Sequence, residues 1–224
     1  MMYYSKMENV YTSQNSTSVN LNQLVHGERL QLLYHQSFPA IFLSLFTGLL
    51  LTVILWPVQQ KEILISWIVI LAVSALIRTT LFLLYWRKAP QGEDILSWET
   101  PYFFTLSLSS IIWGIGAVFI IPANSELYQT VTYFFLMGMA GGALSVYSAH
   151  RAMTLVTIAT VLLPITIWFL SQGKLYSVGM AVATILFFLS AIRAGKVLSS
   201  AMHQSFKLTH ELKNEKNEQR NWQE

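Results

Sequence analysis

The sequence predicts an all-α polytopic membrane protein. Six transmembrane helices are expected as three hairpins, with the last helix extended into the cytoplasm. Three observations carry this. The chain holds six apolar runs of membrane-spanning length, its Lys and Arg residues collect on one side of them, and its last quarter passes from apolar to charged without a proline.

The 224 residues are 54% hydrophobic and only 11% charged, whereas soluble domains carry about 25% charged residues. There is no cysteine, which excludes disulfides, thiolate metal sites and cysteine nucleophiles. The formal net charge of +3 is too small to call for nucleic acid as a partner.

Residues 1–20 are polar, lack an apolar central run and have no small-residue cleavage pattern. They are not a signal peptide and are expected to be a disordered cytoplasmic leader. Over 21–37, Leu21, Leu24, Val25, Leu32 and Leu33 share one face, and Asn22, Glu28, Arg29 and Gln36 lie elsewhere. This suits a juxtamembrane amphipathic helix on the membrane surface. The other reading is a cytoplasmic extension of the first span.

The six apolar runs are 38–56, 63–86, 102–121, 127–149, 152–170 and 175–192, with 18 to 24 residues each. A bilayer core of ~30 Å needs roughly 20 helical residues. The runs do not alternate polar and apolar residues as barrel strands do, so helices are expected. Together they make a bundle over 38–192, followed by a linker helix over 193–224.

PVQQKE, PANSE and SQGK connect the first and second, third and fourth, and fifth and sixth runs. All are tight and contain turn-forming residues. With the N-terminus inside, eleven Lys and Arg fall on the inner side and two, Lys61 and Lys174, on the outer; Arg78 lies within a span. The positive-inside rule then places both termini in the cytoplasm, in a bacterial inner membrane. Trp56, Trp67, Tyr128, Trp168 and Tyr176 form an outer aromatic belt, and Tyr85, Trp86, Trp98 and Tyr102 an inner one.

Three groups within the spans are candidates for ligand binding or packing. The first is Met137, Gly138, Met139, Gly141 and Gly142 in the fourth run. Gly138 and Gly142, four apart, face one way and permit close helix approach. The cluster also suits a bend, or space for a small ligand beside mobile methionines. The second is Trp113 with Gly114 and Gly116, far from both belts. An indole N–H at that depth needs a partner, either in a packed core or at a pocket floor. The third is Arg78, eight residues before Trp86 and so roughly 12 Å from that end. Its side chain either snorkels or pairs with carbonyls, or it meets an anion or headgroup.

No Asp or Glu lies in the six runs, which disfavours proton relay and ion coupling. His26, His35, His150, His203 and His210 lie outside the spans or at their rims, without metal-ligand spacing. There is no phosphate-binding loop. No cofactor and no catalytic activity are expected of this chain.

In the tail, steps of three and four from Leu198 give Ala201, Ser205, Leu208, Leu212, Glu215, Gln219 and Trp222. The first half suits a coiled-coil seam and the second half is weak; a solvated single helix is the other reading. Gly195 is the candidate hinge, since glycine costs about 1 kcal/mol against alanine in a helix interior.

The segment Leu30-Gln31-Leu32-Leu33-Tyr34 with Pro39 after it, Trp113-Gly114, the glycine cluster 138–143 and the tail 205–216 together resemble the multi-pass sensor regions of bacterial sensor histidine kinases and diguanylate cyclases. The resemblance implies a homodimeric receptor with a C-terminal or separate cytoplasmic output domain, sensing lipid or an unknown small or apolar ligand. No GGDEF motif or ATP-binding kinase domain is present. Thr209-His210-Glu211-Leu212-Lys213-Asn214 is similar to the phospho-accepting box of the kinases, but Glu215 stands where that box has proline, and the second dimerisation helix is missing. The box is read as chance similarity. A small transporter or channel and a membrane anchor or assembly protein are the alternative functions.

Overall fold

The computed structural model describes the backbone of residues 2–90, 92–148 and 150–221, and side chains from Gly27 onward except 28, 91–93, 149, 203, 206, 207, 210, 211 and 213–224. Six α-helices make up the described chain: α1 (Met2–Leu55), α2 (Lys61–Lys88), α3 (Glu99–Ile120), α4 (Glu126–Val146), α5 (Arg151–Ser171) and α6 (Leu175–Asn221). A short 3-10 helix, Gly92–Trp98, lies between α2 and α3.

Among the described residues, five segments are long and apolar enough to cross a membrane: Arg29–Leu55, Lys61–Lys88, Asp94–Ile120, Arg151–Ser171 and Leu175–Met202. Half of the α5 window is buried, against 22% of the α6 window. α5 is therefore the central helix, and α6 shows most of its apolar surface to the outside. Phe42, Phe46, Val69, Leu76, Ile167 and Leu186 are among many large apolar side chains that face outward. A helix apolar on all faces is at home in lipid.

α4 is not among the five. Its 21 residues suffice in length, but Gln129, Thr130, Thr132 and Tyr133 dilute its first half and three glycines its middle. Its course is nevertheless full length. Glu99 and His150, at the starts of α3 and α5, lie 2.9 Å apart. α3 and α5 thus begin at the same end of the bundle, and α4 must return between them.

The same end holds Tyr34, whose hydroxyl donates to the Trp98 carbonyl, and Ser148, whose hydroxyl bonds Met202. The opposite end holds the three tight connections. There Gln59 donates to the Phe119 carbonyl, and Tyr176 to the Glu126 carbonyl. In the turn from α5 to α6, Gly173 has φ +65°, a backbone conformation that glycine adopts without a Cβ penalty.

Packing departs from three side-by-side hairpins. α1 packs on α2 and α5 on α6, but α3 packs chiefly on α5 and α2 and only slightly on α4. The α3–α5 interface is the most extensive in the molecule. Gly114 makes this possible. A Cβ there would fall inside the Thr160 carbonyl oxygen, 2.9 Å from its carbon and 3.1 Å from the Val161 Cα. Pro164, inside α5, has no N–H to give the Thr160 carbonyl four residues earlier. The bare backbone of α3 closes over that carbonyl, where a Cα–H can approach it.

The surface helix expected over 21–37 is not separate. α1 runs without interruption from Met2 through Pro39 to Leu55. Leu30, Leu33, Tyr34 and Ser37 are buried in the bundle. Of the face drawn through Leu21, Leu24, Val25, Leu32 and Leu33, the first three side chains lie outside those described, Leu33 is buried and Leu32 packs against the core. The helix also includes backbone within the expected leader 1–20, whose side chains lie outside those described.

Candidate functional site

Between α1, α3, α4 and α5, with Arg78 reaching in from α2, lies a cavity of about 90 Å³. It brings together five of the residues singled out in the sequence: Arg78, Trp113, Gly138, Met139 and Gly142. Its walls combine apolar surface from Leu106, Ala143 and Val161 with polar groups from Ser109, Tyr147 and Thr157.

Trp113 is 1% exposed and serves as both core and cavity wall. Its indole N–H donates to the Ser44 hydroxyl on α1 at 2.8 Å, which supplies the partner its depth demands. Its ring meets Trp67 edge-on at 5.2 Å between centroids. Gly48 leaves room for it: a Cβ there would lie 3.6 Å from the indole and 2.5 Å from Leu71.

Arg78 neither snorkels nor pairs with a carbonyl. It is 7% exposed, and its guanidinium donates to the Tyr147 hydroxyl at 3.4 Å, with Tyr102 as the second phenol beside it. The physical reason is the face it occupies. Arg78 lies one turn beyond buried Ser74 and Ala75 on α2, so its stem starts inside the bundle.

The close-packing reading of Gly138 and Gly142 requires correction. Both are exposed, and no atom lies within 4 Å of where a Cβ would stand on either, or on Gly141. The close helix approach is made elsewhere, by Gly114 against α5 and by Gly116 against the Trp67 indole. Gly138 and Gly142 instead edge the cavity and leave a gap in its wall. Met139 lines it, while Met137 packs on the core and Gly141 takes no part.

Thr157 is the residue that sequence reading missed. It is 6% exposed and lines the cavity, yet its hydroxyl has no hydrogen-bond partner. Thr79, Thr130, Thr160 and Thr166 all bond back to the carbonyl four residues earlier. Thr157 departs from that habit. Also unanticipated is the aromatic cluster at the cytoplasm-assigned end. Tyr34 stacks on Tyr85 at 3.7 Å and 5°, with Trp98 and Tyr102 edge-on. Tyr85, Trp98 and Tyr102, expected in the inner belt, thus join Tyr34 in tying α1, α2 and α3 together.

Gly195 lies where α6 runs beside α4 and α5. α6 passes through it unbroken, and it is buried, with Leu144 of α4 and Thr154 of α5 at 3.7 and 4.0 Å from a Cβ position. Leu198, Ala201, Leu208 and Leu212 are exposed on the helix beyond. The side chain of His210 lies outside those described.

A second, larger groove of about 470 Å³ runs between α2 and α3 toward the other end. It is lined by Trp67, Ile70, Ile111, Ile115 and Phe119, with Glu62 at its rim. It offers an apolar furrow of the kind lipid chains fill. Among the described residues no three of His, Asp and Glu gather where a metal ion could bind.

Compared with models of protein families, with curated proteins and with solved structures, the chain matches none. The class defined by the fold is therefore an all-helical protein with a multi-helix apolar bundle, and function must be argued from its cavity and its last helix.

Proposed function

We propose that this chain is the membrane-embedded input module of a signal-transduction receptor, of the kind that serves histidine kinases or diguanylate cyclases. In this reading all six helices cross the inner membrane, both termini are cytoplasmic, and two copies associate. The observation that carries it is α6, one helix of 47 residues. At 1.5 Å per residue it is about 70 Å long, more than twice a bilayer core of ~30 Å.

The cavity is joined to α6 by direct contacts. Arg78 bonds the Tyr147 hydroxyl, and the Tyr147 carbonyl accepts from the Thr154 hydroxyl at 2.6 Å. Thr154 and Leu144 then pack beside Gly195 on α6. Two turns further, Ser148 bonds Met202. A change in how α4 and α5 sit around the cavity therefore displaces α6 near the point where it leaves the bundle. A ligand drives such a change only by binding two arrangements unequally. The exposed stripe of Leu198, Ala201, Leu208 and Leu212 is where a second copy would pack.

The test is a chimera with a reporter kinase or cyclase fused after Glu224. A one-residue insertion between Lys196 and Leu208 turns everything beyond it by about 100°. A seven-residue insertion of heptad sequence turns it by only about 20°. Output is expected to be scrambled by the first and largely kept by the second. Output indifferent to insertion length would make α6 a tether and remove the proposal.

A further inference from the structure

We infer that the cavity binds the head of a single-chain anionic amphiphile, a carboxylate or compact phosphate on an alkyl tail, admitted sideways from the bilayer past Gly138 and Gly142. The inference deepens the sensor reading by naming the ligand class, and rests on it only in taking the cavity as the input site.

Charge is the first argument. Arg78 is a buried guanidinium, and no Asp or Glu lies in the six apolar runs. The groups beside it, Tyr147 and Tyr102, are phenols. A guanidinium presents five N–H donors in a planar fork, and its partners here, the Tyr147 and Tyr102 phenols, carry no neutralising charge. A cation held this deep in a membrane protein is costly unless something of opposite sign meets it. A carboxylate or phosphate matches the fork.

Thr157 is the second and independent argument. Its buried hydroxyl lines the same cavity without a partner. A bond to the carbonyl four residues back is open to a helical Ser or Thr; Ser74, Ser107, Thr157 and Ser177 all lack a partner, and of these Thr157 alone lines the cavity. Thr157 forgoes the local bond, and an oxygen of the bound head is the acceptor that satisfies it.

Size and access select the amphiphile. A cavity of 90 Å³ compares with roughly 10–15 Å³ to house one water on the same kind of measure. It takes a compact head and the first carbons of one tail, and is too small for a two-chain glycerolipid. Leu106, Met139, Val146 and Val161 supply apolar wall for the tail, and Ser44, Ser109 and Ser110 add hydroxyls for the head. Leu43, which lines the cavity, and Phe134, one turn before Gly138 on α4, are both exposed. A tail leaving there lies against lipid-facing surface.

The test uses the full chain in nanodiscs of zwitterionic lipid, with radiolabelled palmitate as the probe. Expected is saturable binding, competed by a monoalkyl phosphate of equal length and not by hexadecanol, acetate or inorganic phosphate. Arg78→Gln should weaken it by about 10- to 100-fold, the range for loss of a charge-assisted hydrogen bond. Gly142→Leu should block access while the fold is kept, since nothing packs where the side chain would stand. Thr157→Val should weaken binding several-fold.

Equal competition by hexadecanol would reduce the site to an apolar hole and overturn the inference. Equal competition by acetate or inorganic phosphate would make it an aqueous anion site, which also overturns it. Unchanged affinity in both Arg78→Gln and Gly142→Leu, each verified as folded by its melting curve, does the same. Binding is measured without any output domain. Its loss therefore counts against the ligand alone, and a silent chimera that still binds palmitate counts against the sensor reading alone.

Discussion

Gly114→Ala should destabilise the bundle more than any other glycine-to-alanine change in the central spans. The added methyl meets backbone atoms, the Thr160 carbonyl and the Val161 Cα, and no rotamer change can move them aside. It would stand 2.9 Å from the carbonyl carbon, where carbon pairs prefer about 3.5–4.0 Å. The methyl also falls inside the Thr160 carbonyl oxygen, so the two helices must part by more than the about 0.6 Å that the carbon contact alone requires, and a gap of ~0.5–1 Å already forfeits a quarter to a half of the dispersion attraction between the atoms that line it. The loss falls on the most extensive interface in the molecule, around buried Trp113, Val161 and Ile165. Overpacking costs ~1–3 kcal/mol in general, and rigid neighbours on both sides place this case near about 3 kcal/mol. Thermal melting in mild detergent, or reversible unfolding in mixed micelles, reads the change. Gly142→Ala is the internal control, because its Cβ meets nothing within 4 Å; it should be neutral or stabilise by up to about 1 kcal/mol, the helix-propensity gain over glycine. Equal stability of the two variants would refute the close approach of α3 and α5 at Gly114.

Without ligand, Thr157→Val should stabilise the chain by about 1 kcal/mol, because it removes a buried unpaired hydroxyl at nearly constant shape; the same melts measure it, and a loss of stability would show that the hydroxyl is bonded. Trp113→Phe should cost roughly 0.6–1.7 kcal/mol, the range for interhelical hydrogen bonds in membranes, with Ser44→Ala in the Trp113→Phe background adding little. The chain has no native cysteine, so single cysteines report sidedness directly. Lys61→Cys, Ala123→Cys and Lys174→Cys should label from outside the cell, and Lys88→Cys, Arg151→Cys and Arg193→Cys only after permeabilisation; labelling of Ala123→Cys and Arg151→Cys from the same side would mean that α4 does not cross.

What the sequence determined by itself was set by composition over long windows. Apolar runs of 18 to 24 residues have one low-energy form in lipid, the helix, so helix identity and order follow from one-dimensional information. The tight turns were legible because Pro, Gly, Asn and Ser act locally. Arg78 and Trp113 stood out for a local reason as well, a charge and an indole far from water.

Which surfaces meet was not legible. Most of the spans are apolar around nearly their whole circumference, so little periodicity marks a buried stripe. In a soluble amphipathic helix the apolar side chains recur every three or four residues and show which side faces the core. Glycine spacing singled out Gly138 and Gly142 for packing, yet the interhelical approach fell to Gly114. The deciding partner, the carbonyl of Thr160 before Pro164, lies 46 residues away in the chain. The aromatic cluster of Tyr34, Tyr85, Trp98 and Tyr102 and the lone hydroxyl of Thr157 became visible only when separate helices were set side by side. A hydroxyl's lack of a partner is a property of its surroundings. The tertiary structure decided this because helix pairing in a membrane rests on shape fit between apolar surfaces, and shape fit is a relation between distant residues.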